Sequence, residues 1–140
     1  MLEIEPGERY IITVISLARG NPANRIAGVV LRGGKDFRRL NMKVIGQQRN
    51  SRMCVICGLD NQFGVRAPFY NMTDGSVASP FRYRAWHQSY PGRVHGGMIT
   101  AMLDEMGLRG LWAAKNDDTE FGVTISLETR YYVKFRIMLS

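Results

Sequence analysis

Residues 87–105 read His87-Gln-Ser-Tyr-Pro-Gly-Arg-Val-His95-Gly96-Gly97-Met98-Ile-Thr-Ala-Met-Leu-Asp104-Glu105, and their character changes at Gly96. Before it, Tyr90-Pro91-Gly92 is a turn signal. After it, apolar Met98, Ile99, Met102, Leu103 and Met106 recur at i, i+1, i+4, i+5 and i+8. That stripe predicts a helix from about Gly96 to Ala114, closed by the polar turn Lys115-Asn116-Asp117-Asp118. A helix start offers unpaired N–H groups and the positive end of a dipole. Gly96 and Gly97 let a substrate approach the main chain there, because no Cβ intervenes, and the Gly97 amide can hold an oxyanion. Asp104, seven residues on, returns to nearly the same face after almost two turns. A carboxylate on that face can attack a carbonyl or activate a water. The same pattern also suits a glycine pair used for packing and an aspartate on a solvated face.

Upstream, residues 50–62 read as a loop with a tight turn at Cys54-x-x-Cys57. Phe63–Tyr70 reads as a strand, Asp74-Gly75 as a turn and Ser76–Arg84 as a second strand, which together predict a hairpin. Downstream, Phe121–Tyr132 alternates, is rich in β-formers and predicts a third strand. Two strands, a long helix and a strand give an α+β class. Residues 1–41 lack a sustained period: a short β-like run at Tyr10–Leu17, breaks at Gly20 and Pro22, an apolar scrap at Ile26–Leu31, then Gly33-Gly34.

The chain has 140 residues and a mass of 15.9 kDa, the size of one domain. Hydrophobic residues make up 45% and charged residues 22%, which excludes disordered, collagen-like and low-complexity chains. The longest apolar-rich stretch, Tyr10–Ala18, is about half of the ~20 residues that a bilayer requires. Glu3, Glu5 and Glu8 stand where a secretory signal has its basic region. The two cysteines are too few for a disulfide scaffold, and the expected compartment is the cytoplasm. Lysine and arginine number 19 against 12 acids, a net charge of +7 that attracts anions such as nucleotide phosphates. The bases are scattered and no helix-turn-helix or RNA-binding signature is present, so neither a nucleic acid nor a membrane is expected as a partner.

Cys54-x-x-Cys57 is expected to be a reduced structural turn. Structural zinc takes four ligands, and only His87 and His95 remain to complete a set. A redox pair lacks a thioredoxin-like strand–helix context. Neither a metal nor a cofactor is therefore expected, although a zinc-bearing basic interaction module stays open and predicts stoichiometric metal. Met98, Met102 and Met106 read as core filler, and Trp86 and Trp112 as packing residues.

His95-Gly96-Gly97, Glu105 eight residues beyond, and Val123-Thr124-Ile-Ser-Leu-Glu-Thr-Arg-Tyr131, together with Cys54-Val-Ile-Cys57-Gly58-Leu-Asp-Asn61 and Gly64 upstream, resemble the hotdog-fold acyl-CoA thioesterases of the PaaI-like superfamily. The resemblance spans about Met42 to Tyr131. It implies a hotdog fold, a long central helix wrapped by a curved antiparallel sheet, and a homodimer or dimer of dimers with active sites at the subunit interface. The implied activity is hydrolysis of acyl-CoA to free acid and CoA; the alternative is a non-catalytic acyl-CoA-binding protein of the same fold. By position, the resemblance makes Asp104 the catalytic carboxylate, nucleophile or general base, and gives Gly97 with Gly96 the oxyanion amides. Gln88 would orient the thioester or the water, and Thr124 matches a strand hydroxyl that reaches the carboxylate of the partner chain. His95, Gly96 and Met98 would lie against the substrate, His95 bracing the loop and Met98 lining an acyl tunnel with the other helix methionines. Glu105, one residue on, points about 100° away, which favours Asp104. The dehydratase branch of the fold uses His-and-acid chemistry with no clear counterpart here.

Both ends depart from the family pattern. The resemblance starts at Met42, and Arg38-Arg39 precede it with Leu40 and Asn41 as spacing. Read as AGG-AGG, the two arginine codons form a bacterial ribosome-binding sequence. Residues 1–41 are therefore expected to be an upstream extension outside the native domain, and 42–140 the hotdog domain. At the other end the family continues with a basic, proline-containing bend and two more strands, whereas this chain reads Tyr132-Val-Lys-Phe-Arg-Ile-Met-Leu-Ser140. One allowed back-translation of 132–140, read two bases later, yields a basic, proline-containing peptide of the family kind. The expectation is a frameshift after Tyr131 and a domain truncated after about residue 131, lacking its C-terminal strands and impaired in activity.

Overall fold

The structure, a computed structural model, describes residues 43–119 and 121–131 and the backbone of 10–15 and 27–32. The tail 132–140 and the remainder of 1–42 lie outside the described residues, so the expected out-of-frame ending does too. In chain order the elements are β1 (Tyr10–Ile15), β2 (Ala27–Arg32), β3 (Val44–Gln47), β4 (Tyr70–Met72), β5 (Val77–Phe81), a 3₁₀ turn at Ala85–His87 and one long helix, α1 (Gly96–Lys115).

The hairpin forms where Asp74-Gly75 places it. Gly75 takes φ +83, a left-handed conformation open to glycine, and Asp74 Oδ1 accepts the Ser76 N–H at 3.0 Å. The turn sets β4 antiparallel to β5, with Tyr70 opposite Ala78. β3 pairs with the other edge of β4, and its register shifts between Val44 and Gly46, so that Ile45 bulges. β1 pairs antiparallel with the remaining edge of β5 and β2 pairs with β1, giving the order β2-β1-β5-β4-β3. β5 lies at the centre, and all of its residues except Pro80 are buried.

The helix runs from the glycine pair to Lys115, one residue past the expected end. It closes at Asn116, whose left-handed φ of +52 turns the chain. Its buried residues are Ile99, Met102, Met106 and Arg109, spaced three, four and three apart along one face. Ile99, Met102 and Met106 pack with Phe69, Val77, Phe81 and Tyr83 and with Ile56, Cys57, Val65 and Ala67 from the loop before β4. The fold is thus α+β, an antiparallel sheet against one long helix. Among the described residues no helix is long and apolar enough to cross a membrane.

Two expected strands do not form as expected among the described residues. Of Phe63–Tyr70, only Tyr70 belongs to a strand, in β4. Arg66 sits at φ +57, outside the strand region, and Pro68 has no N–H to donate, so this stretch is interrupted twice. Instead, Val65 and Ala67 donate their N–H groups to Val55 O and Ile56 O, both at 2.9 Å, which ties the stretch to the cysteine turn. Of Phe121–Tyr132, expected as the third strand, residues 121–131 pair with no strand among the described residues, and Tyr132 lies outside them. The central β5 offers it no place, since both of its edges are filled, by β4 and by β1, and the segment joins neither outer edge of the sheet, on β2 or β3. The segment lies along α1 instead. Gly122 rests against Leu108, and the Tyr131 hydroxyl donates to Gly96 O at 2.8 Å and bonds Thr100 Oγ1.

Candidate functional site

The loop of residues 87–95 folds back on itself and delivers the chain to the helix start. His95 N donates to His87 O at 2.8 Å, Ser89 N donates to Arg93 O at 2.9 Å, and Gln88 bridges Val94. His87 anchors the loop from inside. Arg84 N–H donates to its Nδ1 at 3.1 Å, which leaves Nε2 as the protonated nitrogen, donating to Phe63 O at 2.7 Å. Burial holds His87 below the ordinary value of 6.5, so the ring is a neutral structural member.

His95 then caps α1. Its Nδ1 accepts the Gly97 N–H at 2.9 Å, and its carbonyl accepts from Met98 N at 2.9 Å and Ile99 N at 3.3 Å. The amide that the resemblance assigns to an oxyanion is therefore engaged by the neighbouring imidazole. A Cβ on Gly97 would lie 2.9 Å from that nitrogen, so the glycine is what lets the ring fold over the amide. Gly96 lies under the Tyr131 hydroxyl, and Met98 is half-buried beside the core.

The remaining expected residues are placed as follows. Gln88 Oε1 accepts the Gly92 N–H at 3.3 Å, so its side chain braces its own loop. Thr124 is exposed on the unpaired segment 121–131, and no hydrogen bond joins it to Asp104 or to the helix start among the described residues. Asp104 is half-buried, and its Oδ1 is buried with no hydrogen-bonding partner among the described residues. Seven residues of helix put Asp104 about 10.5 Å along the axis from Gly97. Within one chain, the carboxylate and that amide share a face but do not meet at one carbonyl.

A second cluster, which the sequence reading did not assemble, lies on the adjacent face of α1. Cys54, Cys57 and Glu105 bring their ligand atoms within 4.8 Å of one another. The Cys54 thiol donates to Glu105 Oε2 at 3.9 Å. Glu105 Oε1 receives both Nε and Nη2 of Arg109, at 2.9 and 2.7 Å. Arg109 is 1% exposed. It donates through Nη1 to Arg49 O at 2.6 Å, and its guanidinium lies 4.4 Å from the Phe69 ring centre and 4.8 Å from that of Trp112. Gln48 Nε2 spans from Arg109 O at 3.0 Å to Asn71 Oδ1 at 2.7 Å, which stitches the helix to β4. Burial, and after it the Glu105 charge and Cys54, pushes the Cys57 thiol up to about 12, against a stabilising backbone hydrogen bond. Both cysteines are free thiols. Neither histidine belongs to this cluster: His87 is held by Phe63 and Arg84, and His95 by the helix.

Comparisons with family models, with curated proteins and with solved structures gave no match to this chain.

Proposed function

We propose that this chain is a hotdog-fold acyl-CoA thioesterase, cleaving the thioester to a free acid and CoA. The observation that supports this reading is the buried, unpartnered Oδ1 of Asp104 on the helix that opens with His95-Gly96-Gly97. A carboxylate oxygen that no protein donor occupies is an acceptor open to a water or a substrate group. In the proposed step Asp104 takes a proton from a water whose oxygen adds to the thioester carbonyl carbon. The carbon–sulfur bond then breaks, and the proton passes to the departing CoA sulfur. The ~10.5 Å between Gly97 and Asp104 along one helix is the reason to propose a homodimer, in which the helix start of one copy faces the Asp104 of the other. Hotdog geometry for the domain of residues 42–140 belongs to the same proposal.

One observation favours a second reading, acyl-CoA binding without turnover. The Gly97 N–H already donates to His95 Nδ1, so an oxyanion must displace the ring to use that amide. CoA release from a panel of acyl-CoA esters by the full chain, with Asp104→Ala beside it, separates the two. Hydrolysis predicts turnover by the parent, lost ~10²–10⁴-fold in Asp104→Ala with acyl-CoA binding retained. Binding by both chains with turnover by neither establishes the second reading. Undiminished turnover by Asp104→Ala removes the carboxylate from the mechanism.

A further inference from the structure

We propose that Cys54, Cys57 and Glu105 form a zinc(II) site with three protein ligands and a fourth position open to water. This site is independent of the thioester reading: it uses none of the residues assigned to it and lies on a different face of α1.

The turn is shaped for a metal thiolate. Ile56 N and Cys57 N both point at Cys54 Sγ, donating at 3.3 and 3.4 Å. Two amides aimed at one sulfur are the kind of outer-shell donors that orient a metal ligand. Gly58 closes the turn by donating its N–H to Cys54 O at 2.9 Å. A Cβ at Gly58 would fall 2.3 Å from that same oxygen and 2.6 Å from Cys54 N, so only glycine permits the fold-back. Asn50 Nδ2 holds the far side of the turn through Cys57 O at 2.7 Å.

Glu105 supplies the third arm and is already oriented. Arg109 occupies Oε1 twice over, which leaves Oε2 directed at Cys54. A ligating carboxylate fixed through its other oxygen by a buried donor is the usual outer-shell arrangement of a metal site. Tetrahedral zinc, with bonds of about 2.3 Å to sulfur and 2.0–2.2 Å to oxygen, sets its ligand atoms roughly 3.6–3.8 Å apart. The cluster has all its ligand atoms within 4.8 Å of one another, so its widest separation needs to contract by about 1 Å to reach that geometry. Charge balances as well: zinc, two thiolates, one carboxylate and the Arg109 guanidinium sum to zero. Two soft sulfurs select zinc over magnesium or calcium. Zinc takes the place of the two thiol protons, which leave to solvent, and no electron changes hands.

The test is cobalt(II) titration of the full chain after reduction and removal of metal with a chelator. The expected result is one cobalt per chain, showing the intense visible bands of a tetrahedral centre and a near-ultraviolet sulfur-to-cobalt charge-transfer band, both abolished by equimolar zinc. Cys54→Ser and Cys57→Ser each weaken zinc binding by more than the ~10–100-fold that outer-shell changes cost, and each diminishes the charge-transfer band. Glu105→Gln, its fold checked by circular dichroism, keeps that band but binds more weakly. A folded parent chain that takes up no cobalt, or takes it up without sulfur charge transfer, overturns the site. So does a reduced chain whose thiols re-form a disulfide in preference to binding the metal. If Glu105→Gln binds as tightly as the parent, the carboxylate is not a ligand and the three-ligand site is wrong.

Discussion

Residues 48–69 and 121–131 are both irregular, yet one is bound into the core and the other is nearly bare. The first satisfies its backbone within itself, mostly main chain to main chain and in part through the Asn50 side chain. Asn50 Nδ2 donates to Cys57 O and Ala67 O, and Gln48 N donates to Phe69 O, so the loop is cross-braced without a strand. It then locks onto α1 through Arg109 and Gln48. The second has the better strand sequence, with Val123, Ile125 and Leu127 in alternation, and all three are exposed. Its anchors are the Tyr131 hydroxyl and the contact of Gly122 with Leu108. Irregular backbone is stable where its own turns and side chains supply its partners, whereas an alternating segment acquires none until another edge meets it.

Arg109 is where this contrast can be broken most severely. Arg109→Met leaves Glu105 Oε1 without the two guanidinium donors and takes the guanidinium from Arg49 O. Breaking a buried pair costs ~3–5 kcal/mol. The side chain of Glu105 is 17% exposed, which sets the expectation at the lower end of that range. Urea denaturation measures it. Arg109→Met with Glu105→Leu removes both charges and is expected to recover most of the loss. A single variant within ~1 kcal/mol of the parent, against the range above, shows that the loop is held by something other than this pair.

The sequence was most legible where structure is local. Asp74-Gly75 marks the hairpin, and the Met98–Met106 stripe marks the helix to within a residue. It was least legible where contacts join distant residues. Cys54 and Glu105 are 51 positions apart, and no periodicity connects them. One signal was present and unused: Arg109 continues the buried spacing of Ile99, Met102 and Met106, with Glu105 four residues before it, so a paired charge on the apolar face was readable. At the helix start, Gly96 and Gly97 stood where expected, but His95 is not among the usual capping residues, and its claim on the Gly97 amide was not visible. Alternation at 121–131 reports a preference for pairing and carries no information on whether an edge is free. Beside β5 that place is held by β1.

His87 offers a smaller perturbation of the well-bonded region, through pH. Its folded value is lowered from 6.5 by burial, with nearby Arg84 adding to the effect against the hydrogen bond to Phe63. The unfolded chain therefore binds the proton more readily. This contribution to stability is complete above 6.5 and is lost as pH falls through the folded value. Melting temperature is expected to drop on acidification in that window. The drop is expected to shrink in His87→Gln, whose amide can accept from Arg84 N and donate to Phe63 O without titrating. An equal acid loss in both chains assigns the effect elsewhere. Asp117, lowered by its Thr119 hydrogen bonds, acts in a separate window below 3.8 and leaves this one unchanged.

The smallest effect is expected in the bare segment, and there a small value is the informative one. Ile125 is 98% exposed, so Ile125→Ser removes no buried contact and is expected to change stability by less than ~0.5 kcal/mol. A loss well beyond that places the side chain against something, and the partner available in a pure solution is a second copy of the chain. Thermal melts at two protein concentrations tell these apart. A melting temperature that rises with concentration in the parent and not in Ile125→Ser makes residues 121–131 a strand completed between copies. A melting temperature independent of concentration, with Ile125→Ser matching the parent, leaves the segment as the structure has it. In that case Val123, Ile125 and Leu127 are an unpaired apolar alternation of the kind that invites aggregation, and the same substitution is expected to slow light scattering on prolonged storage while leaving the melt unchanged.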